Sequence, residues 1–158
     1  MANGYGELSW PNWAEHQGMG SRRKARELAV QVLFSMEFDR DDSGIVFDRV
    51  CENFLGKKTS IPFARDLVLG VCEKRPEIDQ LIRGSSRNWR LERISRIDRS
   101  ILRTAVFEIL FCDDIPPKVS IDEAVELGKQ FGNTDSAGFI NGLLDNIYKG
   151  LKQTAATP

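Results

Sequence analysis

Apolar residues recur every three or four positions along most of this chain. Ala25, Leu28, Ala29, Val32, Leu33 and Met36 follow the i, i+3, i+4, i+7 order that sets one stripe along a helix. The polar run from Asp39 to Gly44 stops it. Val46, Phe47, Val50, Cys51 and Phe54 predict a second, shorter helix ending near Gly56. Ile61 and Pro62 open a third, with Ala64, Leu67, Val68 and Val71 toward a core. Pro76 predicts a kink or restart before Ile78, Leu81 and Ile82 carry the pattern to Gly84.

From Ile101 to Cys112 the chain is apolar on nearly every side, the pattern of a central buried helix. Ile115-Pro116-Pro117 ends that segment and opens the next, since proline suits a first helical turn. Ser120 to Glu123 has capping-box spacing, although Pro117 allows an earlier start. Gly132 suits a left-handed helix stop. Thr134, Asp135 or Ser136 can cap a last helix, whose stripe is Ile140, Leu143, Leu144, Ile147 and Leu151. No strand alternation of useful length, internal repeat or phosphate-cradling glycine loop interrupts the series, so the expected class is an all-α bundle.

At 158 residues one domain is expected, large enough to bury a sizeable core without staples. Residues 1–20 break the helical period. They are expected to be a disordered leader or tag-like extension, with Met19 an alternative start and Trp10 and Trp13 either a docking motif or part of a loose tail. Residues 153–158 are expected to fray. Cys51, Cys72 and Cys112 are odd in number and lack C-x-x-C spacing, which argues against a disulfide framework or zinc site and for small core residues in a reducing compartment. The single histidine, His16, lies in the leader, so histidine-based catalysis or metal binding is poorly supported. Without a membrane-length apolar stretch or a secretory signal, a cytoplasmic protein is expected.

The net charge is only −1, so any affinity for nucleic acid must come from how charge is distributed. Arg22, Arg23, Lys24 and Arg26 crowd the front of the first helix, where cations oppose the helix dipole. They can grip a phosphate backbone together, or form a solvated turn in which Arg23 pairs with Glu27. Seven arginines from Arg83 to Arg103 face only Glu92 and Asp98, and either extend a nucleic-acid groove or keep the surface solvated. Trp89 reads as a core plug or a stacking residue. Phe139 lies one residue off the last apolar stripe, beside Asp135, Gly142 and Asn146. It can stack on an unpaired base or close the edge of the core, and Asp135 can accept from a base edge or cap the helix. Asp113, Asp114, Asp122, Glu123 and Glu126 fall at helix ends, where capping is simpler than acid–base chemistry.

From about Ser21 to Lys152 the chain resembles the NusB family. Five ordered blocks carry the resemblance: Arg22 to Gln31 with Leu33-Phe34, Phe63 to Val71, Asp98 to Glu108, Ile115 to Gly132, and Asp135 to Asp145. It implies an all-helical fold of about seven helices in two three-helix-like bundles, making residues 21–152 a helical RNA-binding domain. It also implies binding to boxA, a short single-stranded RNA element of ribosomal RNA leaders, with NusE, a small-subunit ribosomal protein. Other Nus factors and RNA polymerase would complete the antitermination complex. The family's arginine-rich motif falls on Arg22, Arg23, Lys24 and Arg26, and its RNA-facing aromatic and acid fall on Phe139 and Asp135. Phe34 takes the place of an aromatic that is often tyrosine, and Asp98 that of an acid on the NusE side; both are expected to face a partner. The leader, Pro76 and Gly128, where alanine is common, depart from the pattern.

The resemblance implies a non-catalytic adaptor that needs no cofactor and no metal. Two alternatives stay open: a NusB-like domain of an RNA cytosine methyltransferase, and a protein-only scaffold. Whether the free chain forms a homodimer that hides the RNA surface is also open.

Overall fold

The computed structural model describes residues 19–54, 58–86 and 90–156. Expectations for residues 1–18, Gly56, Arg87, Trp89 and residues 157–158 lie outside them. The helices are α1 (Met19–Met36), α2 (Ser43–Glu52), α3 (Ile61–Ser85), α4 (Arg96–Phe111), α5 (Pro117–Phe131) and α6 (Ser136–Ala156), with short 3-10 turns at Lys58–Ser60 and Leu91–Arg93. No strand occurs among the described residues. α1, α2 and α3 pack on one another, as do α4, α5 and α6; α4 joins the two triplets by packing on α1 and α3. The core is continuous across both, from Leu28, Phe63 and Leu67 through Ile101, Leu102 and Phe107 to Ile140 and Leu144.

Local chemistry explains most helix ends. The Asp42 carboxylate accepts from the Gly44 N–H at the start of α2, and Ser95 Oγ accepts from the Asp98 N–H at the start of α4. Pro117 opens α5, so Ser120 sits in its first turns and not at a cap, and its hydroxyl donates inward to Glu108 instead. α4 is buried at every position from Ser100 to Glu108, as its pattern foretold.

Three details differ from the sequence reading. α3 runs unbroken through Pro76, which reduces the expected seven helices to six among the described residues. Proline forfeits one backbone bond there, but Val71 on one side and Ile78 and Ile82 on the other are fully buried and hold the two halves in line. Gly132 is extended, with φ −90° and ψ −169°, and not left-handed. Glycine is needed because a Cβ would fall 2.3 Å from Ser136 Oγ. α6 continues to Ala156, past Lys152. Gly128, the departure from family habit, also has a steric reason: a Cβ would meet Ile140 Cδ1 at 2.8 Å, where α5 crosses α6.

A tighter contact joins the triplets. A Cβ on Gly70 would lie 2.1 Å from Phe107 Cζ, inside a ring that is 1% exposed. Gly70→Ala is therefore expected to destabilise the fold by about 1–3 kcal/mol through overpacking, read by urea denaturation. An unchanged midpoint would show that Phe107 has room to retreat.

Half-buried Asp66 on α3 has its carboxyl pushed up to about 6 by desolvation, with Arg65 opposing. A raised carboxyl contributes stability in its protonated form, below the ordinary carboxylate range. That contribution is lost as pH rises through about 6. Asp66→Asn should therefore flatten the fall in melting temperature between about pH 4 and pH 6. A parallel pair of melting curves for the two proteins would contradict this.

Candidate nucleic-acid interface

The four cations at the start of α1 meet four different fates. Arg23 reaches across to α5, where Nε and Nη2 donate to the two oxygens of Glu123 at 3.0 and 2.9 Å. Lys24 takes Glu27 at 3.1 Å and Arg23 takes Glu123, so the Arg23–Glu27 pair of the solvated-turn alternative does not form. Arg22 lies against Asp114 at 3.3 Å, its guanidinium 5.6 Å from the Phe63 ring centroid. Arg26 is a correction to the expected surface cluster. It is 4% exposed and donates to both oxygens of Glu108, the shortest contact 2.7 Å. Ser120 Oγ adds a bond to the same carboxylate at 3.1 Å. Arg26 thus holds α1 to α4 and α5 from beneath, while Arg23 and Lys24, with side chains 53% and 55% exposed, form the outward face.

Arg23 holds the Glu123 carboxyl below the usual carboxylate range, chiefly through its hydrogen bonds and against the effect of burial. Glu108 and Glu123 are functional neighbours that sequence reasoning did not pair with the arginines. The available signal was Glu108 itself, a lone acid inside the apolar run of α4. An ionised group there requires a buried partner.

At the C-terminal end of α5 the starts of α4 and α6 come together. Asn133 N–H donates to Ser136 Oγ at 2.9 Å, and Ser136 Oγ donates to Asp98 Oδ2 at 3.1 Å. The Asp135 carbonyl accepts from the Phe139 N–H, placing Asp135 just before the first turn of α6. Its carboxylate is exposed and has no partner among the described residues. Asp135, Phe139 and Asp98 line one cleft with Arg93, Ile94 and Ser95, with a volume of about 260 Å³. Phe139 is half-buried, one side against the core. Asp98, expected on a separate partner surface, is therefore brought to the same place as Asp135 and Phe139.

The second basic stretch does not form a single patch. Arg103 is buried and bound to Asp79 and Glu37; Arg99 shares Glu37. Arg83 faces Glu92 at 3.7 Å. Arg96 lies over the Phe38 ring at 4.6 Å, and Phe38 packs edge-on to Phe34 at 5.1 Å. Phe38, which the sequence reading passed over, is 61% exposed. Phe34 thus belongs to a small aromatic–arginine surface at the end of α1, away from the arginine motif. Cys112 is buried, its thiol pushed up to about 12 mainly by desolvation, and Cys51 and Cys72 are half-buried free thiols. Among the described residues no acid, cysteine or histidine cluster is placed to hold a metal ion. No helix among them is long and apolar enough to cross a membrane.

Residues 23–149 match the NusB family model. The chain belongs to the NusB family. A transcription antitermination protein NusB from Myxococcus xanthus is 47% identical over 139 residues, which is 85% of this chain and 99% of the relative. The NusB of Geobacter sulfurreducens is 48% identical over 130 residues, 82% of this chain and 94% of the relative. Among solved structures, T. maritima NusB aligns with a TM-score of 0.74 at 38% identity, over 81% of this chain and 90% of that one. A NusB solved with NusE and double-stranded RNA gives 0.76 at 28% identity, over 84% of this chain and 99% of that one. Membership of the NusB family makes this chain a transcription antitermination factor and not an enzyme.

Proposed function

We propose that this chain binds boxA RNA of ribosomal RNA leader transcripts jointly with NusE, in the cytoplasm, and so helps RNA polymerase and other Nus factors pass terminators. The observation that carries the RNA reading is the placement of two unlike sites along α5. Cations that suit phosphates stand beside its middle, where Arg23 meets Glu123, and an aromatic beside the exposed Asp135 carboxylate stands past its C-terminal end. Glu123 lies eight residues before Phe131, a rise of about 12 Å. A flexible single strand can lie along that length, whereas neither site alone distinguishes an extended strand from an isolated anion. Arg23 and Lys24 engage phosphates, with Arg22 beside them; Arg26 supports them from below. Phe139 offers a face to an unstacked base. A NusB solved with NusE and double-stranded RNA supports a joint complex of this kind of chain with NusE and RNA. Phe34, Phe38 and Arg96 form the surface that best suits a protein partner, because aromatic and arginine side chains dominate interface energetics.

The test is fluorescence anisotropy with a boxA RNA and a scrambled control, with and without NusE, over a salt series. Binding should favour boxA, tighten with NusE through the shared RNA, and weaken as salt rises. NusE binding without any RNA preference would replace this reading with a protein-only scaffold.

A further inference from the structure

A groove of about 670 Å³ between α3 and α6 takes no part in the sites above. Leu81, Leu110, Ile147 and Leu151 give it an apolar lining, with exposed Gln80 on one helix and Asn146 on the other. Its walls run from Glu77 to Ser85 and from Asn146 to Thr154, so each is about 12 Å long. Gly84 and Gly150 face the groove, and a Cβ on either would meet nothing within 4 Å. Glycine weakens a helix, and here no packing inside the fold asks for it. A segment lying in the groove does.

The chain carries a fitting occupant in residues 1–18, outside the described residues. Its sequence there includes Trp10-Pro11-Asn12-Trp13. Proline disfavours the helical region for the residue before it, and its own φ suits a polyproline turn. That turn repeats every three residues and rises about 3.1 Å per residue, so the two indoles fall on one face about 9 Å apart. A wall about 12 Å long accommodates both. An indole is an apolar body with one N–H, which suits an apolar lining edged by the carboxamide oxygens of Gln80 and Asn146. The reach is sufficient. Arg22 meets Asp114 at 3.3 Å, and Asp114 follows the groove residue Leu110 by four positions, so α1 starts at the groove's end of the molecule. The six residues from Trp13 to Met19 extend to about 20 Å. A tether this short also gives an effective concentration on the order of millimolar, which an untethered partner must outcompete.

We propose that Trp10 to Trp13 dock into the groove between α3 and α6 of their own chain. Acrylamide quenching of tryptophan fluorescence in the full chain tests this. Trp89 is the remaining tryptophan, and its signal is measured in a Trp10→Phe, Trp13→Phe double variant and subtracted. The emission of Trp10 and Trp13 should quench at least about threefold less than that of free N-acetyltryptophanamide, at every protein concentration. Gly84→Leu combined with Gly150→Leu fills the groove and should raise quenching to the free level. Both new side chains enter open space, and leucine favours a helix over glycine, so the melting temperature should hold or rise. Free-level quenching in the unaltered chain would leave the groove to a separate partner and overturn the proposal. Shielding that survives the filled groove would overturn it as well. So would shielding lost on dilution, which places the tryptophans in a second copy of the chain.

Discussion

Glu108→Ala is expected to lower the stability of this chain by about 3–5 kcal/mol, enough to unfold a marginal domain. Glu108 is 1% exposed and Arg26 4%, so removing the carboxylate strands a guanidinium in the core. It also leaves the Ser120 hydroxyl without its acceptor. The loss measures an orphaned charge, not the net value of the pair. For that reason Arg26→Met combined with Glu108→Leu should recover most of it, because a packed apolar pair avoids the desolvation of both ions. Urea denaturation of the single and double variants distinguishes the two quantities. A loss under about 1 kcal/mol for Glu108→Ala would mean that water reaches Arg26 and that the site is not the sealed anchor described here.

Replacing Arg22, Arg23 and Lys24 together with alanine is expected to weaken boxA binding at least about tenfold at physiological salt, with stability changed far less than by Glu108→Ala. The salt dependence is the sharper readout. Each lost phosphate contact to a single strand reduces the slope of log K against log salt by about 0.7, so three should reduce it by about two. Glu123→Gln should act in the opposite direction. The Glu123 carboxylate occupies the Nε and Nη2 edge of Arg23, and removing its charge frees that edge for a phosphate. Tighter RNA binding by Glu123→Gln, with a steeper salt slope, is the expected result in the same titration. Weaker binding would show that Glu123 positions Arg23 for the RNA and does not compete with it.

The helices were legible in the sequence because each is a local pattern. The α1 stripe, the all-round burial of α4 and the stripe of α6 follow from spacing within a few turns. Pro76 misled because a proline's local penalty is small beside the packing of Val71, Ile78 and Ile82, which no local window records. Gly132 misled for a related reason. Glycine serves both a left-handed backbone and a close approach, and only the fold reveals that Ser136 Oγ occupies the space.

The candidate site was legible as residue types but not as partners. Arg26 and Glu108 are 82 positions apart, and Arg23 and Glu123 are 100 apart, so no spacing rule connects them. A run of four cations therefore reads as one cluster, whereas the fold divides it into an exposed pair, a partly covered arginine and a buried anchor. Asp98 and Asp135 became neighbours through the packing of α4 against α6. The Asp98–Ser136 bond spans 38 positions.

The most direct measurement is photo-crosslinking of boxA RNA containing 4-thiouridine to the complex with NusE, with the modified peptides mapped by mass spectrometry. Crosslinks at Phe139 and within the peptides that begin α1, with none in the groove that Gln80, Gly84 and Gly150 line between α3 and α6, are expected. Crosslinks confined to that groove, with Phe139 and the start of α1 unmarked, would contradict an RNA path along α5.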